Sequence, residues 1–512
     1  MSLENIILSE KSFLTHKIIV PFVHNIDKEY PIMFNSKLLS ILDTFEKKEL
    51  KQCHALILSP FFNKNESLIK LYEYCVKSYP DFKSARFKRE TVYKKLFPTQ
   101  TFDDANMRYL MSDLTKLLEQ FLVQQALKEA PNNQMELLLE AKLKRKLYPF
   151  FKTTFKKQQT KIGKSPIRDA TYFHHQFEIF EKLATIEFLT EDNRGDIKLI
   201  EKAENYLDIF YIATKLKYAC LVQNFKLLVS AEYDPIFTQR ILEYAESTDL
   251  IKSNVLIYSY YLAYKMRVSE EEEDGNYFNL LTKQMEESSN IFQVDKAQNL
   301  YAYLRNFCIR KINQGQSSQY YDKLLNIYKM QLDDESLFFP NKYLSQSNYK
   351  NIYHIGVLTD KIEFSEAFIK EYRSRLNPED EKSIYAYAYA YLEFNKGNYD
   401  NTLVQLNTVN VTKSYDYLAT KILLIKTYYQ LNQIDTLESS INALDIYIKR
   451  NKEISKFQKT SHTNFVAYMK KLLRLKFGRK VDVSKLKEDF KNEKNCAEAR
   501  WLTLKINSLQ SP

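Results

Sequence analysis

The chain has 512 residues, 45% of them apolar and 14% aromatic, and a formal net charge of +11. That much aromatic area supplies a large core, and it excludes a disordered chain. Only seven glycines occur, standing alone at 163, 195, 275, 315, 356, 397 and 478, which excludes a Gly-rich dinucleotide loop. In chain order, residues 1–34 read as a poorly patterned leader. Its start, MSLENIILSEKSF, lacks the basic lead, apolar stretch and small-residue cleavage site of a signal peptide. Residues 35–130 read as a compact helical module, with helices expected near 36–58, 65–78, 88–97 and 102–129. Ser59-Pro60, Tyr79-Pro80 and Phe97-Pro98 punctuate it, because proline disfavours helix in the residue before it. Thr101 with Asp104 resembles a capping box. From Met107 a one-face stripe follows through Leu110, Met111, Leu114, Leu117, Leu118, Phe121 and Leu122. Residues 131–166 hold a long basic helix at 134–162, bent or broken near Pro149, and the linker Gly163-Lys164-Ser165-Pro166.

Residues 167–460 read as paired helices. An aromatic residue or Ile opens the second helix of each pair, at Tyr277, Tyr320, Ile362, Tyr399 and Ile434. Asp274-Gly275 reads as a helix–helix turn. Residues 390–406 (AYLEFNKGNYDNTLVQL) align with 425–441 (IKTYYQLNQIDTLESSI). Gly397 meets Asn432 where the chain must turn, and both residue types tolerate positive φ. The period resembles the tetratricopeptide repeat (TPR), at ~34 residues, without the Trp that opens such repeats or the Pro that closes them. Residues 461–512 read as capping helices that include Trp501. The expected fold is therefore all-α, an N-terminal helical module followed by a TPR-like α–α superhelix.

Several strings belong together. They are Leu58-Ser59-Pro60-Phe61-Phe62-Asn63-Lys64-Asn65, Leu96-Phe97-Pro98, Leu110-Met111-Ser112-Asp113-Leu114, Tyr428-Tyr429 with Leu437-Glu438-Ser439, and Trp501-Leu502. Together they resemble an uncharacterised family of large helical bacterial proteins, over most of the chain. The resemblance implies the same architecture. The family carries no assigned activity, so no chemistry follows from it.

No run of about 18 apolar residues suggests a membrane span. Cys53, Cys75, Cys220, Cys308 and Cys496 form no C-x-x-C pair and read as reduced thiols, hence a cytoplasmic protein. Residues 1–170 carry 29 Lys and Arg against 19 Asp and Glu, and the remainder 46 against 45. Such asymmetry suits a polyanionic partner, or equally a lysine-rich surface that keeps helices soluble.

The basic excess peaks between Lys142 and Arg168. Lys142, Lys144, Arg145, Lys146, Lys152, Lys156, Lys157, Lys161, Lys164 and Arg168 occur there with no acid, and Tyr148, Phe150, Phe151 and Phe155 interleave. Lysines neutralise phosphates and aromatics stack on bases, so the stretch is a candidate polyanion contact. It reads equally as an amphipathic helix with core aromatics and solvated lysines, or as a dock for an acidic patch such as Glu270–Asp274. Gly163-Lys164-Ser165 lacks the second glycine of a phosphate loop. Thr190–Glu201 has Gly195 and a final Glu, but Thr190 and Arg194 occupy positions where a calcium loop needs oxygen ligands. His174, His175 and Glu178 lack the i, i+4 histidine spacing of a zinc helix. Tyr385, Tyr387, Tyr389 and Tyr391 read as packing between helices before a ligand groove. No catalytic residue, cofactor or metal ligand is therefore assigned. The expectation is a non-enzymatic scaffold binding a protein or peptide partner on a concave face. A nucleic-acid-associated regulator using the basic third is the alternative, and an enzyme of unrecognised type comes third.

Overall fold

The computed structural model describes residues 36–80, 82, 85–190, 196–225, 236–315, 317–338, 342–410, 414–452, 454–479, 481–493 and 495–509. The leader of residues 1–34 and Gly195 lie outside them. Among the described residues the chain is all-α, with no strand. No helix among them is long and apolar enough to cross a membrane. They divide into two compact units, one holding the residues up to Ser165 together with 175–203, the other holding 166–174 and the chain from Glu204 onward.

The first unit begins with α1 (Lys37–Leu42), α2 (Lys47–Leu58), α3 (Glu66–Val76), α4 (Arg89–Leu96) and α5 (Asp104–Glu129). Helices α2, α3 and α4 stop ahead of Pro60, Pro80 and Pro98, as the sequence predicts. The expected helix 36–58 is interrupted, because buried Phe45 drops between α1 and α2 to meet Phe121 with ring centres 5.3 Å apart. Glu46 and Glu49 then cap α2 reciprocally. The cap of α5 is Asp103, not Thr101. Its carboxylate accepts from the N–H groups of Ala105 (2.9 Å) and Asn106 (3.0 Å), and a carboxylate also suits the positive end of a helix. The stripe on α5 is buried from Met107 to Phe121 except for half-buried Met111, while Leu122 faces solvent.

The expected basic helix is two helices, α6 (Pro131–Lys144) and α7 (Tyr148–Gly163), with α8 (Ala170–Thr190) following. The break lies three residues before Pro149, where Lys146 adopts φ 57°. The N–H of Leu147 closes on the carbonyl of Lys142 at 2.9 Å. Pro149 sits in the first turn of α7, where its missing N–H costs nothing. Leu139, Phe151, Ile179, Leu183 and Ile186 form the small core beneath these helices.

The second unit continues with α9 (Ile197–Phe225), which enters it at Glu204, then α10 (Ile236–Ser247) and α11 (Leu250–Ser253). Antiparallel pairs follow: α12 (Val255–Val268) with α13 (Glu271–Ser288), α14 (Val294–Asn313) with α15 (Ser317–Asp333), and α16 (Gln346–Leu358) with α17 (Ile362–Glu371). They continue as α18 (Glu381–Lys396) with α19 (Tyr399–Leu406), and α20 (Ser414–Gln430) with α21 (Ile434–Arg450). Helices α22 (Lys456–Lys476), α23 (Val483–Lys491) and α24 (Ala499–Asn507) are the last among the described residues. From α12 onward each pair touches the next, and one continuous core runs through the unit. On α21, Leu437, Ile441, Leu444 and Ile448 are all at most 2% exposed, and each such side chain stabilises by about 1.5–3 kcal/mol on burial.

The turns repeat one solution. Asp360 (φ 61°), Gly397 (φ 86°) and Asn432 (φ 56°) are left-handed. The next N–H bonds back five residues: Lys361 to Gly356 (2.8 Å), Asn398 to Glu393 (2.9 Å) and Gln433 to Tyr428 (3.0 Å). This is the Schellman closure, which satisfies carbonyls left open by the helix end. Ile362, Tyr399 and Ile434 start the second helices as expected, and Tyr320 lies in the first turn of α15. Tyr277 does not open α13. The helix begins at Glu271, where four consecutive acids sit against its positive end. Asp274-Gly275 is therefore inside the helix, and the turn falls at Ser269-Glu270. At Gly356 the helices of one pair come closest, since an added Cβ would stand 2.2 Å from Ser365 Oγ.

Gly397→Ala is expected to cost about 1–2 kcal/mol, the penalty of a Cβ in the left-handed region, whereas Lys146→Gly, which relieves it, is expected to stabilise. Denaturant midpoints of the two variants measure this, and an unchanged Gly397→Ala midpoint would contradict the turn assignment.

Candidate functional site

The ten basic residues divide by environment. Lys142 donates from Nζ to Thr154 and to the carbonyl of Phe150 (3.3 Å). Lys144 pairs with Glu140 at 2.6 Å and Lys152 with Glu187 at 2.7 Å. Arg145 donates to the Ala141 carbonyl at 3.2 Å, and Lys146 makes the left-handed turn. Lys156, Lys157 and Lys161 on α7 and Lys164 just past its end are exposed, and no ion pair engages them among the described residues. Arg168 belongs to the other unit, where its guanidinium lies 4.5 Å from the Tyr172 ring centre. Phe151 is fully buried, and Tyr148 and Phe155 pack on the same core. Of the four interleaved aromatics only Phe150 is open to a base, at 62% exposure.

Other sequence candidates are absorbed by packing. Gly163 ends α7 by position, with no strand before it. Along α8 the ligand atoms of His174, His175 and Glu178 lie within 4.8 Å of one another. His175 Nδ1 already meets Glu136 at 2.8 Å, and the His174 ring stands 4.7 Å from that of Phe210. In the Glu270–Asp274 run, Asp274 is buried and takes both Arg310 (3.0 Å) and Lys311 (2.9 Å). The alanines between the tyrosines of α18 are buried, as is Tyr391, while Tyr385 stacks on Tyr389 at 5.9 Å. All five cysteines are free and buried. Burial pushes the Cys53, Cys75 and Cys496 thiols up to about 12, so none is a thiolate near neutrality.

The strongest convergence of polar groups lies elsewhere, in the second unit. A cleft of about 530 Å³ between α16, α18 and α20 is lined by Lys350, Tyr353, Ser383, Tyr387, Asn410 and Thr420, among others. Tyr387 and Ala419 also line an adjoining cleft of about 420 Å³, with Lys426, His462 and Glu498 in its wall. Thr420 is 5% exposed, and its Oγ1 has no hydrogen-bond partner among the described residues. Lys426 and Glu498 pair at 2.7 Å with both side chains nearly buried. Burial drives the Glu498 carboxyl up, but the Lys426 ammonium overrides it and holds Glu498 at about 2. His354 stacks face to face on Tyr391, centres 3.9 Å apart. Burial first, then the charge of Lys350, holds its pKa well below the usual histidine value, and its Nε2 is unpartnered among the described residues. Burial also lowers His462. Its Nδ1 lies 2.6 Å from the Gln458 carbonyl, which only accepts, so the neutral ring carries its proton on Nδ1.

These residues sit far apart in sequence, Tyr353, Tyr387 and Thr420 on the first helices of successive pairs. Tyr353, Tyr387 and Thr420 fall about one repeat period apart; sequence reasoning singled out only Tyr387, as packing before a ligand groove, and missed Tyr353, Thr420 and Glu498. The one usable signal was the repeat itself, since it aligns the first helices of successive pairs.

Two results are expected. The depressed folded-state pKa of His354 means that the unfolded chain binds the proton first. Its stabilising contribution is complete above its ordinary value of 6.5 and falls below it by up to about 1.4 kcal/mol per pH unit. His354→Phe keeps the stack on Tyr391 and is expected to reduce the slope of melting temperature against pH between about 6.5 and 5, the remaining slope coming from the lowered His462. Glu498 titrates only below 4.5 and leaves that window undisturbed. Lys426→Met, which leaves Glu498 buried and unpaired, is expected to destabilise by about 3–5 kcal/mol in urea titrations. Compared with family models, with curated proteins and with solved structures, the chain matches none.

Proposed function

We propose that the chain is a non-enzymatic scaffold whose helix pairs wind into a TPR-like superhelix and bind an extended peptide segment of a protein partner along the concave side. The observation that supports this most is the cleft between α16, α18 and α20. Its wall combines hydroxyl, amide, ammonium, carboxylate and aromatic groups with apolar ones. Such a wall suits a main chain with regularly spaced side chains, and it leaves the buried Thr420 hydroxyl in want of a partner. The five buried, free thiols support a reducing, cytoplasmic setting.

A second reading is favoured by one observation. Lys156, Lys157 and Lys161 of α7, with Lys164 just past its end, offer an exposed basic cluster. It supports a nucleic-acid-associated regulator that contacts phosphates, with Phe150 the one interleaved aromatic open to a base.

The two readings separate in one set of measurements. Peptides selected from a display library on the full-length chain are expected to lose about tenfold or more in affinity on Ala419→Trp, which fills the shared wall of the two clefts. Helical circular dichroism is expected to stay unchanged. Retention of all selected binding by this variant would remove the scaffold reading. Four phosphate contacts are expected to weaken random-sequence RNA or DNA binding by about 10²-fold between 50 and 200 mM salt. A triple change of Lys156, Lys157 and Lys161 to Glu abolishes that binding only if the second reading holds.

A further inference from the structure

A separate cleft of about 380 Å³ lies between α9, α12 and α14 in the second unit. Cys220 and Asn224 line it from α9, Arg267 from α12, and Tyr303 and Arg310 from α14. Three polar atoms of these residues are buried without a hydrogen-bond partner among the described residues: Asn224 Nδ2, Arg267 Nε and Tyr303 Oη. Asn224 is 8% exposed and Tyr303 6%. Buried donors are normally satisfied, and three unsatisfied ones around a single cleft point to an acceptor that fills it. The Cys220 thiol is not among them, since it donates to the Tyr260 carbonyl at 3.5 Å.

Charge favours the same ligand. Asp274 serves both Arg310 (3.0 Å) and Lys311 (2.9 Å), and no carboxylate pairs with Arg267 among the described residues. Burial, and then the like charge of Arg310, lowers the Arg267 pKa. Two guanidinium groups therefore line one cleft, and the one carboxylate that pairs with either of them among the described residues, Asp274 on Arg310, is shared with Lys311. A water molecule would satisfy the amide and the hydroxyl but would leave the guanidinium charge uncompensated. We propose that this cleft binds a small oxyanion, a phosphate or carboxylate group, received by Arg267 and Arg310 with Asn224 and Tyr303 completing its hydrogen bonds. Guanidinium forks match both groups, with two parallel N–H donors for two oxygens. The cleft uses helices other than those of the peptide cleft, so it stands or falls independently of the scaffold reading.

The test is calorimetry on the full-length chain in Tris–chloride buffer, titrated with inorganic phosphate and, separately, with acetate up to roughly 10 mM, where even a millimolar site fills. Saturable one-to-one binding is expected. It weakens about tenfold in Tyr303→Phe and in Arg267→Gln, and stays at the native value in Lys449→Gln, an exposed lysine of α21. Saturation by phosphate alone identifies a phosphate site, and saturation by acetate a carboxylate site. Tyr303→Phe removes one oxygen from an otherwise intact ring, so it decides the question even if Arg267→Gln does not fold. Absence of saturable binding by both anions overturns the proposal, as does binding that Tyr303→Phe leaves unchanged.

Discussion

A pair of antiparallel helices buries only part of its apolar surface, and the rest must meet another pair or water. This constraint organises the second unit. Ala386, Ala388 and Ala390 are all buried on α18, although they lie at positions too far round a helix for a single contact face. They make sense because α18 meets α16, α17, α19 and α20. Small side chains on several sides let neighbours approach, and Gly356 does the same where α16 meets α17. Long aromatic side chains then fill the wedges between pairs.

A core built this way admits charge. Lys311 is 2% exposed, yet it is held by Asp274 and lies over the Phe307 ring. Lys426 pairs with Glu498 and lies 4.8 Å from the Phe394 ring centre. Their aliphatic stems pack as apolar groups while the ammonium ends reach a carboxylate. Such pairs add little net stability over apolar residues of the same shape, but they penalise any packing that separates them. They fix which helix meets which, and they leave the groove walls polar.

The sequence carried the local features well. Proline stops, the break ahead of Pro149, and the turns at Gly397 and Asn432 depend on residues a few positions apart. It misplaced Tyr277 as a helix opener and Asp274-Gly275 as a turn, because four acids at the start of α13 extend that helix backwards. It expected Thr101 as a cap where Asp103 provides two hydrogen bonds. The roles of Tyr148, Phe151 and Phe155 were left open between core and base stacking, since an amphipathic helix does not reveal which side meets protein. Of the cleft walls, the sequence reading touched only Tyr387, and it favoured packing there. Lys426 and Glu498 are 72 residues apart, and only the order of pairs brings them together.

The left-handed closures at Asp360, Gly397 and Asn432 are made by main-chain groups five residues apart. Each therefore forms from its own stretch of chain, without waiting for distant segments. A pair is able to fold back as soon as it has left the ribosome, and its uncovered side then becomes the template on which the next emerging pair docks. Growth of this kind keeps contact order low within each step and shortens the time that sticky surface stays bare.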